Sequence, residues 1–315
     1  MNAVVPKFVL GTAQLGMDYG RVNRTGKPPG GTAITMLRYA IEQGVTFLDT
    51  ARVYGDAEWV IGEALAESWR SRTTVITKLD LSGVAKGAAA SDVCARVDAS
   101  IDASCCALRT EKLHTLLLHN WAHYDMWRGA AWLRLREHQA AGKISKLGAS
   151  VYGPQEALLA LSDPAIQHLQ IPTNVLDRRW KPLEQAFAQR PDVIVHARSA
   201  LLQGILAHPA VRWPIVSGFD AEGCLRKLRE FADKFDRYGV ADLCLAYVRS
   251  LPGITGVVVG CETIDQLEQN IELFARPMLS PEMIQEIEDA LPTAPEELLN
   301  PGKWDRFKEK VACAS

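Results

Sequence analysis

Residues 45–55 read VTFLDTARVYG. From Val45 to Leu48 the residues are apolar or β-branched, and the run stops at Asp49. A short run of this kind, bounded by polar and turn residues, is the pattern of a strand buried on both faces of a parallel sheet. Just upstream, Ile34, Leu37 and Ile41 repeat at helical spacing ahead of Gly44, a residue suited to the left-handed end of a helix. The unit is therefore a helix, a glycine stop, and a buried strand whose last residue is polar.

That unit recurs along the chain. Strand-like runs fall at 8–12 (FVLGT), 45–50, 73–78 (TTVITK), 113–119 (LHTLLLH), 144–150 (ISKLGAS), 166–171 (IQHLQI), 193–197 (VIVHA) and 254–260 (ITGVVVG). Between them lie helical stripes. Val93, Val97, Ile101, Cys105 and Leu108 follow Ser91, an expected N-cap. Leu225, Leu228, Ala232 and Phe235 lead to Gly239, and Ile264, Leu267, Ile271 and Phe274 form another stripe. Alternating strands and helices with right-handed crossovers give an open doubly wound sheet or a closed (β/α)8 barrel. Eight strands favour closure. The segment after the first strand has glycines but no G-x-G-x-x-G opening a helix, which argues against a Rossmann domain. The expected fold is α/β, a single (β/α)8 TIM barrel over residues 1–315, with long loops at its C-terminal face. Those loops are 18–31, 120–128 and 198–220, and a C-terminal tail occupies 292–315.

Composition narrows the function. The chain has 315 residues, 48% hydrophobic and 23% charged, with Lys+Arg 35 against Asp+Glu 37 and a net charge of -2. That balance lacks the basic footprint of a nucleic-acid or anionic-membrane binder. No apolar run nears the roughly 20 residues of a membrane span, and residues 1–7 are too short for a signal peptide. Seven scattered cysteines, several within helical stripes and none in C-x-x-C spacing, read as buried thiols in a reducing cytoplasm.

Polar residues gather at the strand ends. Asp49 closes the second run, Lys78 the third, His119 the fourth and Ser150 the fifth. Gln170 and Asn174 flank the end of the sixth, Arg198 and Ser199 follow the seventh, and Tyr54 lies five residues past Asp49. Each has an ordinary reading alone: a turn-forming Asp, a solvated Lys, a structural His. In a barrel all point to one mouth. There Lys beside a phenol favours phenolate and lowers its pKa, Asp holds the Lys, and His hydrogen-bonds a substrate oxygen. A Tyr so tuned protonates a developing alkoxide.

Across nearly the whole chain these segments resemble the aldo-keto reductase superfamily. The resemblance rests on Phe47 through Ala51 with Tyr54 and Gly55, on Thr77 and Lys78, on Leu117 through His119, and on Gly148 through Ser150. It continues through Gln170–Asn174, Val258–Gly260, Leu267 and Asn270. It implies a catalytic tetrad of Asp49, Tyr54, Lys78 and His119, and hydride transfer between a nicotinamide and a carbonyl carbon. The cofactor, NADP(H) or NAD(H), would lie extended across the mouth. Implied contacts are Gly11, Thr12, Ala13 and Asp49; Ser150, Gln170 and Asn174 near the carboxamide; and Arg198, Ser199, Leu201, Gln203 and Gly204 near the pyrophosphate. Gly260, Cys261, Glu262, Thr263, Gln266 and Asn270 would hold the adenosine half. Tyr54, His119 and Trp121 would face the substrate.

Three positions depart from the family pattern. Val151 stands where a carboxamide-binding Asn is common. Arg198 stands where an aromatic stacks on the nicotinamide; it stacks there itself, reaches the pyrophosphate, or forms a structural ion pair. Near the adenosine ribose, Glu262 and Gln266 replace the usual cations, which tilts the choice from NADPH toward NADH unless Arg276 or a loop lysine supplies the charge. Glu262 alternatively caps its helix. His119 and His123 are four apart, but the first closes a strand, so no metal is expected.

The expected activity is NAD(P)H-dependent reduction of an aldehyde, sugar or ketone with Tyr54 as general acid. The alternatives are NAD-linked oxidation of a sugar or alcohol, or a low-turnover redox-sensing module. The segment 10–20 and the run 201–204 (LLQG) point weakly to a branch associated with sugars. The expected partners are a small carbonyl or sugar substrate, no nucleic acid and no membrane, with the protein a monomer or small homo-oligomer.

Overall fold

The computed structural model describes residues 7–304. Its strands are β1 (Phe8–Gly11), β2 (Phe47–Asp49), β3 (Thr74–Leu79), β4 (Leu113–Leu118), β5 (Ile144–Ser150), β6 (Ile166–Pro172), β7 (Ile194–Arg198) and β8 (Gly256–Gly260). Each pairs in parallel with the next, and β8 pairs with β1, closing the barrel. All eight runs read from sequence become strands, and the chain forms a (β/α)8 barrel. The closing register aligns Gly11 with Gly260 on one side and with Asp49 on the other. Strand ends that are far apart in sequence therefore meet at one mouth.

Side chains alternate along each strand between the barrel interior and the surrounding helices. Inside, Val9, Ile76 and Leu117 form a small apolar cluster with Phe47 and Val258 packed against it. Beside it the rings of His168 and His196 meet edge to face at 4.4 Å, both buried. Gly148 is needed here: a Cβ at that position would lie 1.9 Å from the His168 carbonyl oxygen, where the β5–β6 register shifts. Two residues further along each strand the interior becomes polar, and that layer is the floor of the mouth.

The helices correct several details. The helix of the Val93 stripe spans Ala90–Ala107, with Ala89 at its cap and no side-chain cap bond. Ser91, expected at the cap, sits inside the first turn because the chain turns helical as soon as the loop ends. Between β7 and β8 there are two helices, Ala221–Lys234 and Val240–Ser250. The second was not legible. It is buried from Asp242 through Arg249, so it has no polar face and no stripe. Ile264, read as part of a stripe, is exposed at the start of helix Ile264–Ala275. Gly44 does end the helix Gly30–Glu42, at φ +92°.

The first half of the tail packs onto the barrel through a turn of helix, Glu296–Leu299, burying Leu298, Leu299 and Trp304. Residues 305–315 of that tail, and residues 1–6 of the leader reading, lie outside the described residues. Among the described residues no helix is long and apolar enough to cross a membrane. Cys94, Cys105, Cys106, Cys224, Cys244 and Cys261 are free thiols.

Candidate active site

A cleft of about 630 Å³ opens at the C-terminal ends of the strands. Each strand contributes to its lining, through Gly11, Asp49, Lys78, the β4-following His119, Ser150, Gln170, Arg198 and Gly260. Strand geometry explains the set. The last inward-facing position of each strand is where side chains leave the apolar interior and reach the cleft.

The tightest part is the Lys78–Asp49 pair, both buried. Lys78 Nζ donates to Asp49 Oδ1 at 2.9 Å, to Oδ2 at 2.8 Å and to the Thr50 carbonyl at 2.8 Å. All three ammonium protons are thereby used. Gln170 Nε2 donates to Asp49 Oδ1 at 2.7 Å, and Thr12 Oγ1 donates to the Asp49 carbonyl at 2.9 Å. Two charges taken out of water are tolerable only in such a fully bonded arrangement.

Tyr54 enters from the loop after β2. Its ring centroid lies 5.1 Å from Lys78 Nζ and 5.9 Å, edge on, from the His119 ring. Two glycines let that loop approach. A Cβ on Gly16 would stand 2.0 Å from the Tyr54 carbonyl oxygen, and Gly55 adopts φ +56° against the Gly16 carbonyl. The motif read as D-T-A-x-x-Y-G thus includes its glycine for a steric reason.

Electrostatics at the floor differ from the sequence expectation in one respect. Lys78 does not lower the Tyr54 phenol. Burial, followed by the charge of Asp49, raises it above its ordinary value, and Arg198 opposes this. The reason is the 2.8 Å contact: Asp49 neutralises the ammonium, so the phenol meets a pair rather than a bare cation. Burial lowers the Lys78 ammonium too, with Asp49 acting against it. Burial and then Lys78 lower His119 to about 4, so its imidazole is neutral near pH 7 and keeps one N–H donor.

Of the other expected contacts, Thr12, Ala13, Ser150, Ser199, Leu201, Gln203, Gly204, Glu262, Gln266 and Asn270 also line the cleft. Asn174, Cys261, Thr263 and Trp121 do not. Asn174 Oδ1 accepts from the Leu176 N–H in a turn, Cys261 is buried, and Thr263 caps helix Ile264–Ala275 by accepting from the Gln266 N–H. Trp121 stacks on Tyr124 at 4.3 Å and is not among the residues lining the cleft. Arg198 forms no ion pair among the described residues. Its guanidinium carbon lies 4.6 Å over the Tyr152 ring and its Nη2 donates to the Val151 carbonyl at 3.2 Å.

Sequence reading passed over Gln14, Tyr19, Tyr152, Tyr238, Gln269 and Glu272, all in the lining. Tyr152 and Gln269 adjoin Val151 and Asn270, positions already singled out, but periodicity alone marks neither. At the distal end Arg276 is already engaged. It stacks over Tyr238 at 3.7 Å, pairs with buried Asp242 at 2.9 Å and donates to the Asp236 carbonyl. Glu262 does not cap the helix. Its N–H donates to Gln266 Oε1 at 2.8 Å, which turns the Gln266 amide back onto the chain, and its carboxylate has no partner among the described residues.

The profile of the aldo/keto reductase family matches residues 7–292. The chain belongs to that family. Among curated relatives, Protein tas of Escherichia coli (strain K12) is 28% identical over 313 residues, covering 81% of this chain and 88% of that protein. The aldo-keto reductase AKR11C1 from Bacillus halodurans superposes with a TM-score of 0.73 at 22% identity, covering 91% of this chain and 93% of the other. An aldo/keto reductase from Klebsiella pneumoniae, solved in complex with NADP and acetate, gives a TM-score of 0.66 at 22% identity, covering 92% of each chain. As a family member, the chain is assigned to the oxidoreductases.

Proposed function

We propose that this protein reduces the carbonyl of an aldehyde, sugar or small ketone with a nicotinamide cofactor, NADH or NADPH. The observation that carries the reading is the convergence of Tyr54, His119 and the Lys78–Asp49 pair at the floor of one cleft. The cleft also fits the cofactor. Its lining extends from that floor through Ser150 and Ser199 to Glu262 and Asn270. Glycines are needed where it is narrowest: a Cβ on Gly204 would lie 2.3 Å from the Val22 side chain, and one on Gly260 2.1 Å from that of Gln14. The complex of the Klebsiella pneumoniae reductase with NADP supports the same assignment.

Ser150 and Gln170 would hold the carboxamide end, and Ser199, Leu201, Gln203 and Gly204 the phosphates. The bound nicotinamide supplies the hydride. Neutral His119 donates a hydrogen bond to the substrate oxygen and orients the carbonyl. Tyr54 holds its proton firmly at neutral pH and gives it to the oxygen as negative charge develops there. The Lys78–Asp49 pair fixes the floor and keeps water from reorganising it.

Steady-state turnover with a panel of aldehydes, sugars and ketones, under each cofactor, tests this reading. Consumption of reduced cofactor with at least one class is expected. Tight cofactor binding without turnover of any carbonyl would identify a redox-sensing module instead.

A further inference from the structure

The cleft floor carries one cation more than it needs. Lys78 is matched by Asp49 at 2.8 Å, and both are buried. Arg198 is not matched: among the described residues no carboxylate lies within ion-pair distance of it, although it lines the cleft. Its position is nonetheless fixed. Its guanidinium carbon lies 4.6 Å from the Tyr152 ring centroid, and one N–H is held by the Val151 carbonyl. The ring contact and the backbone bond together hold the group in place. The remaining N–H groups form a pre-ordered planar fork, the geometry that takes a carboxylate edge on.

Place along the cleft says which anion this is. Arg198 ends β7 and pairs in register with Pro172 of β6, next to the strand that carries Gln170. Its charge is felt at Tyr54, His119 and Lys78, the catalytic end. Of the residues expected near the phosphates, Ser199 to Gly204 lie further along the loop, and Arg198 is the one at the catalytic end. The distal end, by contrast, holds Glu262 and Glu272. The cleft is therefore cationic where a carbonyl would react and acidic where a ribose would rest.

We propose that Arg198 is a specificity residue and that the physiological substrate is an anionic carbonyl compound, an aldehyde or sugar bearing a carboxylate that docks on its guanidinium. The proposal rests on the reductase reading above and adds the substrate class to it.

The test pairs ω-aldehyde carboxylates, from glyoxylate to 5-oxopentanoate, with their methyl esters. Native protein should turn over at least one acid with kcat/KM roughly tenfold or more above its ester, the scale of one charge-assisted hydrogen bond. Arg198→Met should erase that preference by raising KM for the acid at least tenfold more than for the ester, so that the acid-to-ester ratio collapses whatever the variant does to both substrates in common. Arg198→Lys should recover part of it, as a point charge without the fork. No preference in the native protein overturns the proposal. So does an equal loss on acid and ester together with weakened cofactor binding, which would assign Arg198 to the pyrophosphate. The hydroxy-acid products, titrated calorimetrically onto protein with cofactor, read the same site without turnover. Binding that survives Arg198→Met overturns the anion site. Binding that is lost in the variant, with no turnover of any carbonyl, keeps the anion site and sinks the reductase reading.

Discussion

The two ends of the cleft are built on different principles. At the floor, Asp49, Lys78 and Gln170 come from adjacent or facing strands and bond to one another at 2.7–2.9 Å. Barrel register sets their positions, and burial makes each bond costly to lose. At the distal end Glu262, Gln266, Gln269 and Glu272 come from one loop and one helix, and their side chains reach solvent. Glu262 and Glu272 have no cationic partner among the described residues. On the reading proposed above, chemistry that needs fixed geometry would sit where the fold fixes it, and a choice between two similar cofactors where a side chain can change without disturbing the barrel.

That contrast breaks most visibly at Lys78. Lys78→Met leaves the Asp49 carboxylate buried against Gln170 without its cation, an arrangement that costs about 3–5 kcal/mol. Denaturant titration should show that loss, and turnover should disappear with it. A variant as stable as the native protein would mean that Asp49 is protonated or hydrated and that the pair does not hold the floor. Asp49→Asn is expected to be milder in stability, because Lys78 keeps the Thr50 carbonyl.

Tyr54 lies at the same floor yet answers differently. Its hydroxyl makes no hydrogen bond among the described residues, so Tyr54→Phe should fold and bind cofactor as the native protein does. Turnover should fall by roughly 10²–10⁴-fold, the usual share of general acid catalysis. A well-folded Phe variant with near-native kcat would refute the assigned acid. The two variants separate roles that share one pocket: Lys78 supports structure and chemistry, Tyr54 chemistry alone.

How much of this was legible follows the same division. The strands were readable because burial on both faces leaves short continuous apolar runs, and Asp49, Lys78, His119 and Ser150 mark where those runs reach the cleft. Helix Val240–Ser250 was not, because burial all round erases the stripe that reveals a helix. Trp121 was misplaced because adjacency to His119 in sequence says nothing of a ring that stacks on Tyr124. The phenol's direction of shift was misjudged because a sequence shows that a Lys is near, but neither the burial that raises the phenol most nor the Asp bonded to that Lys at 2.8 Å. Tyr152 was missed because its role comes from Arg198, which lies 46 positions away and reaches it only through the closed barrel.

Beneath the floor, the histidines give a smaller effect with a definite sign. Burial lowers His196 to about 4 and His168 well below its ordinary value, and neither nitrogen of His168 has a partner among the described residues. In the unfolded chain both return to about 6.5. Between those values the unfolded state binds more protons, so stability is greatest above about pH 6.5 and falls as pH drops toward 4. For His196 alone the full window is worth up to about 3 kcal/mol, less after solvent and relaxation take their share. Thermal melts from pH 7.5 to 4.5 should show the decline, and His196→Asn should make it shallower, with His168 and His119 left to carry the remainder. A melting temperature that stays level across that range would mean the pair is already protonated or hydrated within the fold.

The smallest effect belongs to the distal end, at Glu262. Its carboxylate lines the cleft just past β8, where the adenosine ribose of an extended cofactor would rest. Thr263 supplies the helix cap, so Glu262 is not engaged there, and Arg276 is spent on Asp242, Tyr238 and the Asp236 carbonyl. No cation is therefore free to answer a 2′-phosphate at this rim among the described residues. A carboxylate about 4 Å from that phosphate costs about 1 kcal/mol in water and about 4 kcal/mol at an effective dielectric near 20. The helix N-terminus returns only ~0.3–1 kcal/mol to an exposed anion, so repulsion dominates. A free 2′-hydroxyl, in contrast, can donate to the same carboxylate. The native protein should bind NADH at least as well as NADPH. Because about 1.4 kcal/mol is one decade, Glu262→Arg should shift the ratio of dissociation constants toward NADPH by roughly tenfold or more. Turnover at saturating cofactor should change little, since the substitution lies at the far end from Tyr54. Fluorescence titration of both cofactors against native and variant protein decides the matter: a strong native preference for NADPH, or a ratio that Arg leaves unmoved, would place the 2′-position away from Glu262.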